Sequence, residues 1–238
     1  MGSDSRPMPA KDWDKHVDHV EAMADTPSFG ALRDQILELA QLRPDDRVLD
    51  IGAGTGLLTL AAAPHVAHVT ALDVSDPMCR RLQSNQQRLG ITNVDALTAS
   101  ATELPIGDGA VDLVVSNYCF HHMGDADKRR ALSEIHRVLR PDGRLVFADM
   151  MFSLAVTNPR DRKVLALLAK RMLRKGFAGL LRLAKNAVRV LTGRWEHPSG
   201  AQWWREALAA AGFAAVEVRE LEHEGGIVTA RRAHVEVG

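Results

Sequence analysis

The chain has 238 residues, 46% hydrophobic and 25% charged, enough for one globular domain with a sizeable core. Formal net charge is zero, so total charge makes no case for nucleic acid, and no run of about 18 apolar residues is present to span a bilayer. Cys79 and Cys119, the two cysteines, have neither CxxC nor metal-ligand spacing and read as reduced thiols.

In chain order, residues 1–10 are polar, lack an apolar signal core and are expected to be disordered, which suits a cytoplasmic chain. Residues 11–42 are expected to form an N-terminal helical lid of two short helices. Val17, Val20 and Ala24 recur at helical spacing, as do Leu32, Ile36 and Ala40, with Asp25-Thr26-Pro27-Ser28 as the break. Trp13 is a candidate lid aromatic.

Residues 43–154 read as a core in which short β-rich runs alternate with helical ones, the pattern of βαβ units in a doubly wound, mostly parallel α/β sheet. Strands are expected at 47–51, 66–74, 95–99, 111–116 and 144–149. Helices are expected after the glycines at 52–56, at 77–89 and at 125–139, the last stopped by Pro141-Asp142-Gly143. Residues 155–200 are expected to form an inserted basic, amphipathic helical cap. From 159 to 195 there are eleven basic residues and one acid, Asp161, so the remainder of the chain carries the compensating negative charge. Residues 201–238 add a helix at 202–211, with Gly212 as its end, then strands at 214–221 and 226–232 that form a hairpin closing the sheet edge.

The chemistry concentrates where a strand ends and a helix begins. Gly52-Ala53-Gly54-Thr55-Gly56 follows the first strand, and glycines there let the backbone turn tightly and let a ligand approach it. Asp50 lies two residues upstream, and Asp73 ends the second strand, where doubly wound folds place a carboxylate on ribose hydroxyls. Asp50 is a poor neighbour for a pyrophosphate and a good one for a cation.

Asp50-Ile51-Gly52-Ala53-Gly54-Thr55-Gly56 resembles the first motif of the class I S-adenosylmethionine-dependent methyltransferases. Three further segments match that family in order. Asp73 matches the acidic ribose ligand, residues 104–112 resemble its LPFPDGSFD loop, and residues 134–145 resemble its E-x-x-RVLKPGG-x-L segment. His121-His122 resembles the histidine pair of its small-molecule, quinone-biosynthesis-like branch. The resemblance covers about residues 40–150 and implies a seven-stranded sheet whose last strand is antiparallel.

It also implies the site. Gly52, Ala53, Gly54 and Gly56 line the cofactor, S-adenosylmethionine, while Asp50 places its amino-acid end and Asp73 holds the ribose. Val74 is a cofactor-binding candidate, Ser100, Ala101 and Thr102 flank the adenine, Ser100 standing where the family has aspartate, and Met78 reads equally as an adenine-face residue or as helix core. Independently of the resemblance, Asn117 and Asp149 are site-lining candidates by their positions at the ends of the fourth and fifth strands. His121, His122 and Tyr118 are the candidates to take an acceptor's proton. No metal is required, because the methyl group arrives already activated. The expected acceptor is small and lipophilic, with no nucleic-acid partner, and peripheral contact of residues 160–194 with an anionic membrane is a further expectation. The alternatives are a non-catalytic binding module and an NAD-linked oxidoreductase.

Overall fold

The computed structural model describes residues 13–24, 26–152, 158–174, 176 and 197–233. A 3-10 turn, Trp13–His16, leads into α1 (Val17–Ala24) and α2 (Pro27–Ala40). There follow β1 (Arg47–Ile51), α3 (Thr59–Ala62), β2 (His68–Asp73), α4 (Asp76–Arg88), β3 (Val94–Thr98) and β4 (Val111–Asn117). Then come α5 (Asp125–Val138), β5 (Leu139–Met150), α6 (Pro159–Leu173), α7 (Ala201–Ala210), β6 (Phe213–Glu220) and β7 (Gly225–Arg232). The expected cap at 155–200 is represented by α6 and its flanks; residues 153–157, 175 and 177–196 lie outside the described residues, as do the expected disordered residues 1–10.

The seven strands are ordered β3-β2-β1-β4-β5-β7-β6. β1 to β5 pair in parallel, and β7 is antiparallel to both β5 and β6. The hairpin therefore enters the sheet by its second strand, leaving β6 as the edge. Strand order reverses between β1 and β4, and such a switch point opens a crevice at the strands' carboxyl ends.

Alternation sorts the core into two layers. Leu49 and Ile51 of β1 pack with Leu132 and Ile135 of α5 and Trp204 of α7. Val48 packs on the other face with Ile36 of α2 and Leu82 of α4. In β4, Val111 lies with the first layer although Leu113 lies with the second, because the register shifts between them. The expected stop at Pro141-Asp142-Gly143 is instead absorbed within β5, where Asp142 takes a left-handed conformation at φ 61°.

Beneath the sheet, Arg144 is ion-paired with Asp46 and donates to the Gln41 carbonyl at 3.0 Å, and both charged side chains are buried. Asp46→Ala leaves a guanidinium in the interior without its counter-charge, so a stability loss of about 3–5 kcal/mol is expected in urea unfolding. A loss under about 1 kcal/mol contradicts this, being the range of an exposed pair.

Candidate functional site

The glycine loop crosses the crevice with Gly52, Gly54 and Gly56 at φ 71°, 53° and 104°. A Cβ on Gly52 would lie 2.5 Å from the Cys119 sulfur, so the β4 exit packs directly against the loop. The amides of Gly52 and Ala53 both donate to the Leu72 carbonyl, at 2.8 and 3.0 Å. Gly54 N–H donates to Asp73 Oδ2 at 2.9 Å, and Gly56 N–H to the Ala53 carbonyl at 3.0 Å. Four of the donors that would cradle a phosphate are thus already satisfied inside the protein. A dinucleotide pyrophosphate needs such free donors.

The loop is bracketed by two carboxylates. Asp50 is 1% exposed and accepts a 2.6 Å hydrogen bond from the Thr59 hydroxyl. Burial pushes its carboxyl up to about 7; the Thr59 bonds oppose the rise and the Asp73 charge adds to it. Thr59 is a partner that the sequence reading missed. The signal was a hydroxyl on the helix after the glycines, nine residues beyond Asp50. Asp73 accepts from the amides of Gly54 and Ser75, and burial also raises its carboxyl above the ordinary range, against those two bonds.

Beyond Asp73 the wall is apolar and open. Val74 is 56% exposed, whereas Met78 is enclosed in the core, where its amide caps onto Ser75 Oγ. Ala101 is also buried. Ser100 and Thr102 hydroxyls lie 2.8 Å apart, and Ser100 Oγ accepts from the Thr102 amide at 3.2 Å. Asn117, the last residue of β4, has a buried Oδ1 with no hydrogen-bond partner among the described residues. A buried acceptor left unmatched is costly, and its natural complement is a donor on a ligand.

The crevice closes under the N-terminal segment. The Ser75 hydroxyl donates to Asp14 at 2.7 Å, Arg81 pairs with Asp18 and Glu21, and Val20 lies over Gly54. Trp13 meets the His122 ring edge-on with centroids 4.5 Å apart.

At the β4 exit, Tyr118 takes φ 54° and swings the following 3-10 turn, Phe120–His122, toward the end of β5. There Asp149 gathers three donors. Oδ2 accepts the His121 amide at 3.0 Å, and Oδ1 accepts the Met150 amide at 2.6 Å and meets His121 Nδ1 at 2.5 Å. A carboxylate in an accepting role makes Nδ1 the protonated nitrogen, leaving the Nε2 lone pair to take a proton. Tyr118 is unsuited to that role: burial, with Glu224 and Asp149 nearby, raises its phenol above the ordinary value, so it stays a donor. His122 packs between His121 and Trp13.

Behind this pair lies a lysine that the sequence reading missed altogether. Lys128 of α5 is 0% exposed. Its ammonium donates to the His197 carbonyl and, at 2.7 Å, to the Ser199 hydroxyl, and lies 5.2 Å from the Trp203 ring centroid. The His197 amide in turn donates to the His121 carbonyl at 2.7 Å. The segment leading into α7 is therefore fastened to the loop that holds the His121–Asp149 pair. Nothing about a lysine flanked by Asp127 and Arg129 marks it in sequence as buried.

A family model of a methyltransferase domain matches residues 48–143, which contain the glycine loop, Asp50, Asp73, Asn117 and His121. Over 114 residues the chain is 36% identical to the uncharacterized methyltransferase YcgJ of Bacillus subtilis, covering 48% of this chain and 44% of that protein. Over 130 residues it is 35% identical to the ubiquinone/menaquinone biosynthesis C-methyltransferase UbiE of Vibrio vulnificus, covering 53% and 48%. The chain thus spans about half the length of these curated relatives. A crystal structure of a SAM-dependent methyltransferase from Aquifex aeolicus superposes with a TM-score of 0.65 at 20% identity, over 92% of this chain and 98% of that one. The glycine loop, the acidic β2 end and the start of β5 all fall inside the matched region, so residues 48–143 are similar to a methyltransferase domain, and the chain shares the fold of a solved SAM-dependent methyltransferase.

Proposed function

We propose that this protein transfers a methyl group from S-adenosylmethionine to a small, lipophilic acceptor that loses a proton in the reaction. The observation that carries the reading is the glycine loop, whose amides are satisfied internally while Asp50 and Asp73 stand beside it. That environment suits a ligand with positive charge near the loop and ribose hydroxyls near Asp73, and it disfavours the phosphates of NAD. Exposed Val74 offers an apolar surface to an adenine ring, Ser100 and Thr102 offer hydroxyls at its edge, and the unmatched Asn117 Oδ1 offers an acceptor to a ligand N–H. When bound, the cofactor supplies a methyl group on a sulfonium, activated for in-line displacement by a nucleophile.

The chain's own part is to align the acceptor, exclude water and receive the proton. Alignment alone can contribute about 7–11 kcal/mol. His121, with its Nδ1 held by Asp149, is the base, and the neutral Tyr118 hydroxyl beside it is a donor that orients the acceptor. A base of this kind suits a hydroxyl or an acidic carbon better than an amine that is already neutral. The lipophilic character follows from the apolar cap sequence and from resemblance to the quinone-methylating branch.

Two measurements test this. Methyl-labelled S-adenosylmethionine incubated with the protein and a cell extract is expected to place label in the organic-soluble fraction. Label confined to macromolecules overturns the small-molecule reading. Asp73→Ala is expected to weaken S-adenosylhomocysteine binding about 10–100-fold, the value of charge-assisted hydrogen bonds, as read by calorimetry. Unchanged affinity removes Asp73 from the ribose site.

A further inference from the structure

Helix α6 is tied to the fold by one side. Arg160 donates to the carbonyls of Met151 at 2.7 Å and of Leu221, His223 and Gly225 at 3.0–3.1 Å, and Val164 and Asp161 are buried beneath the helix. The opposite side faces outward with Arg162, Lys163, Lys170 and Arg174 all exposed. Among them Leu167 and Leu173 are 57% and 54% exposed. At 3.6 residues per turn these six positions fall within about 140° of the helix circumference. Asp161, the single acid of the helix, points the other way, into the fold.

We propose that this outward face of α6 docks on an anionic phospholipid surface. A helix face kept merely solvated gains nothing from two half-exposed leucines and ordinarily mixes charge signs. Here the four cations complement an anionic headgroup layer, and the leucines can enter the headgroup–acyl boundary. Charge complementarity extends along the sequence, since residues 159–195 carry eleven basic residues against one acid in a chain of zero net charge. The face has no aromatic side chain on which a base could stack, and leucines add nothing to phosphate contacts, so a nucleic acid is the poorer partner. Among the described residues no helix is long and apolar enough to cross a membrane, so the contact is peripheral. The helix is anchored through Arg160 to the Met151 carbonyl, two residues beyond Asp149. The proposal does not depend on methyl transfer.

The test is co-sedimentation of the full chain with phosphatidylcholine vesicles, with and without phosphatidylglycerol, at low and high salt. S-adenosylhomocysteine binding measured on the same samples reports separately on the cofactor site. Retention is expected only with phosphatidylglycerol, and high salt should weaken it. Lys163→Gln and Lys170→Gln should each lower partitioning about fivefold. The Leu167→Ser/Leu173→Ser variant, which keeps every charge and changes only exposed side chains, should lower it about tenfold. No retention on either vesicle, equal retention on both, or a leucine variant that binds like the wild type overturns the proposal. Tight binding to duplex DNA that is indifferent to the leucine changes would also overturn it and assign the face to a polyanion.

Discussion

His121→Ala is expected to lower turnover about 10²- to 10⁴-fold, the usual contribution of a positioned general base, while leaving S-adenosylhomocysteine affinity unchanged. The separation follows from where the imidazole sits. Its contacts are with Asp149 and the Tyr118 and His122 rings, whereas the cofactor residues, Asn117 apart, are on the glycine loop, at the end of β2 and after β3. Asp149→Asn should also lower turnover strongly, because both carboxylate oxygens accept donors, an amide must turn its NH2 toward one of them, and the ring loses the charge that stabilises its protonated form. His122→Ala should affect turnover little, its ring being packed against Trp13. The acceptor found in the labelling experiment serves as substrate. Near-normal turnover in His121→Ala, or a large loss in His122→Ala alone, would remove His121 from the role of base.

How far the sequence could be read depended on whether each feature was local. Asp50, the glycines and Asp73 were legible because strand, turn and carboxylate follow one another within a βαβ unit, and the sheet's strands announced themselves by buried β-rich runs. β5 starts before Pro141-Asp142-Gly143 because Leu139 pairs with Val111 and Arg144 with Leu113, so the turn chemistry survives as a bulge inside the strand, with Asp142 left-handed. His121 and Asp149 were each visible as residues at strand ends, but their pairing spans 28 positions and depends on Tyr118 adopting φ 54°. Lys128 was invisible, because its burial is created by Trp203, His197 and Ser199, about 70 residues downstream. Met78 shows the reverse limit: next to the adenine face by sequence order, its side chain is enclosed in the core.

The preference for S-adenosylmethionine over S-adenosylhomocysteine is expected to grow with pH across the acid range in which Asp50 holds its proton and then to level off, with a limiting slope of about tenfold per pH unit. Asp50 is the reason. In the free protein burial holds its carboxyl at about 7, so below that pH it is largely neutral. A sulfonium nearby favours the carboxylate, so binding S-adenosylmethionine expels a proton and strengthens as protons become scarce. S-adenosylhomocysteine lacks that charge but shares the ammonium and carboxylate, so the ratio levels off at the value Asp50 takes in the S-adenosylhomocysteine complex. The same carboxyl makes a prediction about the free protein. Its unfolded value is 3.8, so between pH 4 and 7 the folded chain retains a proton that the unfolded chain has lost. Stability therefore falls as pH rises through this window, by on the order of 4 kcal/mol from Asp50 when complete. The raised Asp73 carboxyl acts in the same direction, which is why the decisive comparison is with Asp50→Asn rather than with theory. Calorimetric titration of both ligands at several pH values should show the ratio rising in the wild type and much flatter in Asp50→Asn. Equal slopes in the two proteins would mean that the charge beside the sulfonium is not Asp50, and a flat ratio in both would place the sulfonium away from the loop's two carboxylates.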